Sequence, residues 1–133
     1  MANRDSFLKE FRGEVLGTTS SQSSPDEVFQ NQVLRPILKL QNDLLISVFV
    51  YYVQKNKVDF FTFSVDKKLH AIENSIQKDI KFRNTLKGIV IGLFSLEEYQ
   101  NYIQNSSSLN KRMMTLIIER LRSQVQLLEI QPN

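Results

Sequence analysis

The chain contains 133 residues, of which 41% are hydrophobic and 23% are charged, and these values are typical of a single globular domain. It contains no cysteine, which excludes disulfides, thiolate nucleophiles and cysteine-ligated metal sites. The longest nearly apolar run, residues 44–53, is about half the ~20 residues that a membrane-spanning helix needs. The N-terminus lacks the pattern of a secretion signal. We therefore expect a cytoplasmic protein that does not contact a membrane.

The net charge of +3 is unevenly distributed. Residues 1–64 carry seven basic and seven acidic side chains, whereas residues 65–133 carry ten basic and seven acidic ones. The whole excess therefore lies in the second half. It is a mild bias compared with the strongly basic face of a dedicated nucleic-acid binder.

The N-terminal segment has apolar residues at helical spacing and predicts a helix over residues 3–16 that stops at Gly17. Residues 18–24 are almost entirely Ser and Thr, which is typical of a mobile, polar linker. We therefore predict two parts, an N-terminal helix with a flexible linker (residues 1–24) and a helical bundle domain (residues 25–133).

A strong helix start follows at Ser24-Pro25-Asp26-Glu27, because Ser can cap and Pro suits the first helical position. A 3.6-residue pattern then extends to about residue 53, and Pro36 should kink or divide this helix near Arg35. Residues 59–63 are rich in Phe. We interpret them as an ordered loop that packs on the helices, because a lone strand would have no partner.

Ser64 can cap a helix that begins near Val65 and either breaks near Asp79 or continues to about residue 94. Ser95 and Glu98 have the spacing of a capping box and predict a short helix that ends at about Gln104. A last helix is predicted over residues 109–129.

Together these segments predict an all-α fold, an irregular bundle of five or six helices. The apolar stripes of the helices predict the following core: Leu34, Leu38, Leu45, Val48, Phe49, Leu69, Ile72, Ile76, Leu86, Val90, Leu93, Leu116 and Leu121.

The sequence offers little for catalysis and predicts no metal or cofactor. His70 is the single histidine, and no phosphate-binding loop or nucleophile elbow is present. His70 and Glu73 share a helix face and could form an acid–base pair, but a surface histidine beside a solvated carboxylate is the more common arrangement. We therefore expect a non-enzyme, with an enzyme built on this pair as the weakest alternative.

Gly88 and Gly92 lie four residues apart in a predicted helix, although each glycine costs a helix about 1 kcal/mol relative to alanine. Their spacing predicts close helix packing, most simply within this chain and alternatively with a partner.

A basic strip is the best candidate for binding. We place it on residues 67–87 and 109–122, with these central members: Lys78, Lys81, Arg83, Lys87, Lys111 and Arg112. Phe82 could stack on a base or belong to the core. Arg83 could instead be buried against Glu119 or Glu98 and fix helix register.

A resemblance to other proteins extends over about residues 30–129. It rests on four stretches: residues 76–84, residues 86–92, Glu97-Glu98-Tyr99 and residues 109–114. The chain resembles a group of short uncharacterised helical bacterial proteins, some of which are labelled glyoxalase. The resemblance implies a small intracellular bacterial protein. It implies no catalytic residue, because the usual glyoxalase has a mixed α/β fold and binds its metal through several His and Glu side chains, and this chain has one histidine.

The sequence therefore favours a protein-interaction module, either an adaptor or a subunit of an assembly. The partner could be a second copy of the chain in a homodimer. The alternative is a nucleic-acid or ribosome-associated binder that uses the basic strip.

Overall fold

The computed structural model describes residues 3–13 and 23–128, and these residues form helices and connecting turns without a strand. The α-helices are α1 (Arg4–Arg12), α2 (Pro25–Phe29), α3 (Arg35–Leu40), α4 (Asn42–Lys55), α5 (Val65–Lys78), α6 (Ile80–Ile91), α7 (Leu96–Gln104) and α8 (Ser106–Ser123). A π-helical segment (Gln30–Leu34) joins α2 to α3, and single 3-10 turns lie at Phe60–Thr62 and Val125–Leu127. The all-α prediction is confirmed.

The helix count is slightly higher than predicted. If α2, the π-helical segment and α3 are taken as one continuous rod, the described residues contain seven helices, compared with the predicted five or six. Of the two breaks that raise the count, the one at Asp79 (φ −94°, ψ 101°) is one of the two predicted alternatives, whereas the one at Gln41 (φ −89°, ψ 7°) was not predicted. The Asp79 carboxylate accepts a hydrogen bond from the Phe82 N–H at 3.0 Å, and this bond caps α6.

The irregularity predicted at Pro36 takes the form of a π-helical turn just before it. Proline lacks the N–H of the helical hydrogen bond, and its ring clashes with the carbonyl four residues earlier. The Arg35 N–H donates to the Gln30 carbonyl, five residues back, which is the π pattern. Pro36 is buried, and so are Val33 and Leu34 of the π-helical segment, so this side of the distortion faces the core.

Three predicted helix starts are confirmed by cap hydrogen bonds. The Ser24 and Ser64 hydroxyls accept from backbone N–H groups at 3.2 Å, and Ser95 and Glu98 form the capping box. α1 ends earlier than predicted, because Gly13 adopts φ +77° and its N–H donates to the Glu10 carbonyl. Gly17 and residues 18–22 of the predicted linker lie outside the described residues.

The last helix is displaced from its predicted bounds. It begins at Ser106, three residues before the predicted start, and ends at Ser123. A 3-10 turn then brings Leu128 into the core. The predicted continuation to Glu129 as one helix is therefore wrong.

The core centres on an aromatic cluster. Phe49 is fully buried, and its ring lies 5.3 Å from Phe60 and 6.2 Å from Phe82, while Tyr52 stacks on Phe82 at 3.9 Å. The Phe-rich loop therefore packs on the helices as predicted. Ten of the thirteen predicted core residues are buried. The other three are half-buried at the margin of the bundle: Val48, Leu69 and Leu93.

No helix in residues 3–13 and 23–128 combines the length and the apolar character that crossing a bilayer would require.

Replacing Phe49 with Ala should lower the free energy of unfolding by about 3–5 kcal/mol, because the cavity would remove ring contacts from both the loop and α6. Urea denaturation followed by circular dichroism measures this loss. Tyr51→Ala is the matched control, since its side chain is 63% exposed, and it should change the stability by no more than about 0.5 kcal/mol. Equal losses in the two variants would contradict the assigned core.

Candidate interaction surfaces

The six residues of the predicted basic strip do not share one depression. Lys78 and Lys81 are exposed and line an open depression with Tyr52 and Asp79. Lys111 and Arg112 line another depression, together with Arg35 of α3, and the two depressions share no lining residue. The other two members, Arg83 and Lys87, are half-buried on α6. The structure therefore presents the strip as two separate basic regions.

The alternative prediction for Arg83, a buried ion pair with Glu119 or Glu98, is wrong. Its guanidinium donates to the Gln77 carbonyl at 3.0 Å, where it covers the C-terminal end of α5. Glu98, one of the two proposed partners, pairs with Arg12 instead. Phe82 is 6% exposed and belongs to the aromatic cluster, so it is not presented for stacking on a base.

The glycine pair faces open space. A Cβ placed on Gly88 would meet no atom within 4 Å, and one placed on Gly92 would meet only the Gly88 carbonyl oxygen, at 3.1 Å. Gly88 and Gly92 are both exposed. Close packing of another helix of the described chain against this pair is therefore wrong: the contact that another helix makes here comes from the Arg4 side chain of α1, which donates to the Gly92 carbonyl at 2.9 Å.

His70 is exposed and Glu73 is directed to other partners. The Glu73 carboxylate accepts a hydrogen bond from Gln77 at 3.3 Å and lies 3.5 Å from Arg122. Within the described ranges, no three His, Asp or Glu side chains are placed to hold a metal ion.

The most enclosed ion pair in the described residues joins Arg12 of α1 to Glu98 of α7, and no pattern in the sequence indicated it. Both carboxylate oxygens accept from the guanidinium, at 2.6 and 2.7 Å, and the two side chains are only 7% and 13% exposed. Oxygen Oε1 of Glu98 also accepts the Ser95 N–H at 2.8 Å, as the capping box requires. The Glu98 carboxylate therefore both caps the start of α7 and holds α1. In the sequence, the capping box alone explained the presence of Glu98.

Arg12 determines the ionisation of Glu98. Burial alone would raise the pKa of this carboxyl, but the hydrogen bonds from Arg12 and from the Ser95 N–H, together with the charge of Arg12, lower the pKa overall. Glu98 is therefore held as a carboxylate in the folded protein.

Two further α1 side chains bind the ends of α6 and α7. Arg4 donates to the carbonyls of Gly92 and Phe94 at 2.9 and 2.8 Å, beyond the C-terminal end of α6. Asp5 accepts the Leu96 N–H at the start of α7, at 3.1 Å. A cation at a helix C-terminus and an anion at an N-terminus are both favourable positions, so α1 is complementary to the α6–α7 junction.

This docking directs an aromatic pair outward. Leu8 is the one buried residue of α1, whereas Phe7 and Phe11 are 62% and 54% exposed. Their rings stack on each other, with centroids 5.6 Å apart and planes 10° apart. α7 carries a second exposed apolar stripe: Leu96, Tyr99 and Ile103.

A groove of about 840 Å³ with both polar and apolar lining lies between α2 and α7. Its Asp26 carboxylate accepts hydrogen bonds from Asn105 and from the Ser108 hydroxyl. The bond from Ser108 is the main cause of the lowered pKa of Asp26, which burial opposes. Asp26 is therefore occupied in joining α2 to the start of α8.

Comparison of the chain with known protein families, with curated proteins and with solved structures finds no match. The resemblance to short bacterial proteins stays a prediction.

Glu98→Gln should lower the free energy of unfolding by about 3 kcal/mol at neutral pH, because it leaves the nearly buried Arg12 charge without a counter-ion. Urea denaturation of the variant and the wild type measures the loss. Glu97→Gln is the matched control, since Glu97 is the exposed neighbouring residue and the change should have little effect. Equal effects of the two changes would show that Glu98 acts only as a surface charge.

The same pair predicts a pH dependence. The folded pKa of Glu98 lies below its ordinary value of 4.5, so its contribution is complete above about pH 4.5 and is lost as the pH falls through the folded pKa. The stability difference between the wild type and Glu98→Gln should therefore be constant from about pH 7 to 5 and decrease below it. A difference that is unchanged at about pH 3 would contradict the ion pair.

Proposed function

We propose that this chain acts by binding another protein, as an adaptor or as a subunit of an assembly, and does not catalyse a reaction. The observation that carries the proposal is the exposed Phe7–Phe11 stack on a helix that is held in place by ionic contacts. The enclosed Arg12–Glu98 pair supports a fixed orientation of α1, and in that orientation both rings point away from the core.

The distribution of exposed apolar side chains supports this surface. Eleven large hydrophobic side chains are exposed in the described residues, and five of them lie on α1 and α7: Phe7, Phe11, Leu96, Tyr99 and Ile103. These two helices contain only nine residues each. Aromatic side chains are enriched in the centres of protein interfaces, and burying one stabilises a complex by about 1.5–3 kcal/mol.

The partner is a second copy of the chain or a different protein, and photo-crosslinking separates these cases. A benzophenone amino acid in place of Phe11 should form a cross-link in the producing cell, whereas the same group in place of Val65 should not. Val65 is the matched control because it is 60% exposed and lies on α5. A cross-linked product of twice the chain mass identifies self-association, and mass spectrometry identifies any other partner. Cross-links of equal yield at both positions, or none, would overturn the proposal.

The double variant Phe7→Ser, Phe11→Ser should weaken binding of the purified cross-linked partner by roughly 1,000-fold, since interface hot spots contribute about 2 kcal/mol or more each. The stability of the variant should stay within about 1 kcal/mol of the wild type, because both side chains are largely exposed. Calorimetric titration measures the affinity, and Val65→Ser serves as the control. Unchanged affinity in the double variant would remove α1 from the interface.

Nucleic-acid binding stays the alternative proposal, and the geometry favours it less. The basic residues line separate depressions, and Phe82 is buried. Steep loss of RNA or DNA binding with added salt would support it, because phosphate contacts release counterions.

A further inference from the structure

Two adjoining depressions lie between α3 and α8, with volumes of about 320 and 300 Å³. They share the lining residues Arg35, Leu116 and Glu119, so the two depressions lie next to each other and have a common boundary. Arg120 lines the first depression, and Lys111 and Arg112 line the second. We call this feature the arginine groove.

The arginine groove carries an excess of positive charge. Its lining contains four cations (Arg35, Lys111, Arg112 and Arg120) and one carboxylate, that of Glu119. In the part of the chain that the structure describes, the ion pairs within 4 Å join Arg4 to Asp5, Arg12 to Glu98 and Arg122 to Glu73. None of the four groove cations takes part in one of these pairs.

Neutral amides orient the three arginines. Arg35 donates to Asn31 at 3.0 Å and Arg112 donates to Gln30 at 3.0 Å. Arg120 donates to the amide oxygen of Asn42 at 3.2 Å, and that same oxygen accepts from the Gln124 side chain. These bonds hold the guanidinium groups without adding negative charge. A site oriented in this way loses less side-chain entropy when an anion binds.

Arg35 and Arg120 are close enough to repel each other. Burial, followed by the charge of Arg35, lowers the pKa of Arg120. The exposed Arg35 and the half-buried Arg120 line the same depression, so an anion bound there would reduce the repulsion between the two like charges.

We propose that the arginine groove binds the carboxylates of an acidic, extended segment of a partner protein. The guanidinium fork matches a carboxylate in a bidentate arrangement. Arg112 and Arg120 are eight residues apart on α8, which is about 12 Å at the helical rise of 1.5 Å per residue. Acidic residues at alternate positions of an extended peptide lie on one side and span about 13 Å over four residues.

The lining favours a protein over a nucleic acid. Neither depression is lined by an aromatic side chain on which a base could stack. Glu119 lies in the shared part of the groove, where it would repel a continuous phosphate backbone but can lie between separate carboxylates. The inference rests on the proposed function only in that the ligand is a protein. It uses a surface other than Phe7 and Phe11, so either proposal can fail without the other.

The test is fluorescence anisotropy at low ionic strength with a short labelled peptide of alternating Glu and Ser. The wild type should bind it, and the same peptide with Gln in place of Glu should not bind. Arg112→Gln with Arg120→Gln should weaken binding by roughly tenfold or more, because a hydrogen bond to a charged group contributes about that factor. Lys78→Gln with Lys81→Gln is the matched control, since it removes the same charge from the separate basic depression and should leave the affinity unchanged.

Three results would overturn the proposal. The wild type could fail to bind the acidic peptide, or both double variants could lose affinity equally, which would show dependence on net charge alone. A single-stranded oligonucleotide of equal charge could also bind more tightly than the peptide through the same arginines, which would make the ligand a nucleic acid.

A second measurement uses the wild type alone and does not depend on the variants folding. Addition of the acidic peptide should shift the backbone amide NMR signals of α3, of α8 from about Lys111 onward, and of Gln124 just after α8. The signals of α1 and α5 should change little. Shifts centred on α5 and α6 would place the binding site elsewhere and refute the assignment.

Discussion

The bidentate contact between Arg12 and Glu98 holds α1 against the start of α7. Glu98 accepts the Ser95 N–H that starts α7 and also the guanidinium that positions α1, so one carboxylate fixes two helices. Such a pair is expensive to desolvate and adds little net stability compared with apolar packing. What it provides is orientation. Leu8 is the buried residue that α1 contributes to the bundle, and without the ionic contacts a nine-residue helix would have little to fix its rotation.

Local features of this fold could be predicted from the sequence, and contacts between distant segments could not. The caps at Ser24, Ser64 and Ser95 depend on residues within three positions of each other, and a capping pattern identifies them directly. Arg12 and Glu98 are separated by 86 positions. Because the capping box already explains Glu98, no local signal indicates that this carboxylate has a second partner.

In the candidate sites, too, local features could be predicted from the sequence and contacts between distant segments could not. Counting charges along the sequence places Lys78 and Lys111 in one basic strip, but packing assigns them to separate depressions. From the sequence, Arg35 was predicted only to mark a kink in the helix before Pro36. In the structure it lines both depressions of the arginine groove. Its proximity to Arg120 depends on how α3 lies beside α8, which helical periodicity does not define.

The arginine of α1 and the arginines of the arginine groove have different hydrogen-bond partners, and this difference affects which charges are available to a ligand. Arg12 is enclosed, and the fold supplies a carboxylate for it. In the described residues, Arg35, Arg112 and Arg120 are more open, donate to amide oxygens and form no ion pair within 4 Å, although Glu119 lines the same groove and the charge of Arg112 helps to lower the pKa of Asp26. Amides satisfy the hydrogen-bonding geometry of a guanidinium but leave its charge available to a ligand. The Phe7–Phe11 stack is therefore complementary to an apolar patch, and the arginine groove is complementary to acidic side chains. A partner protein that carries both features would match both surfaces of this chain.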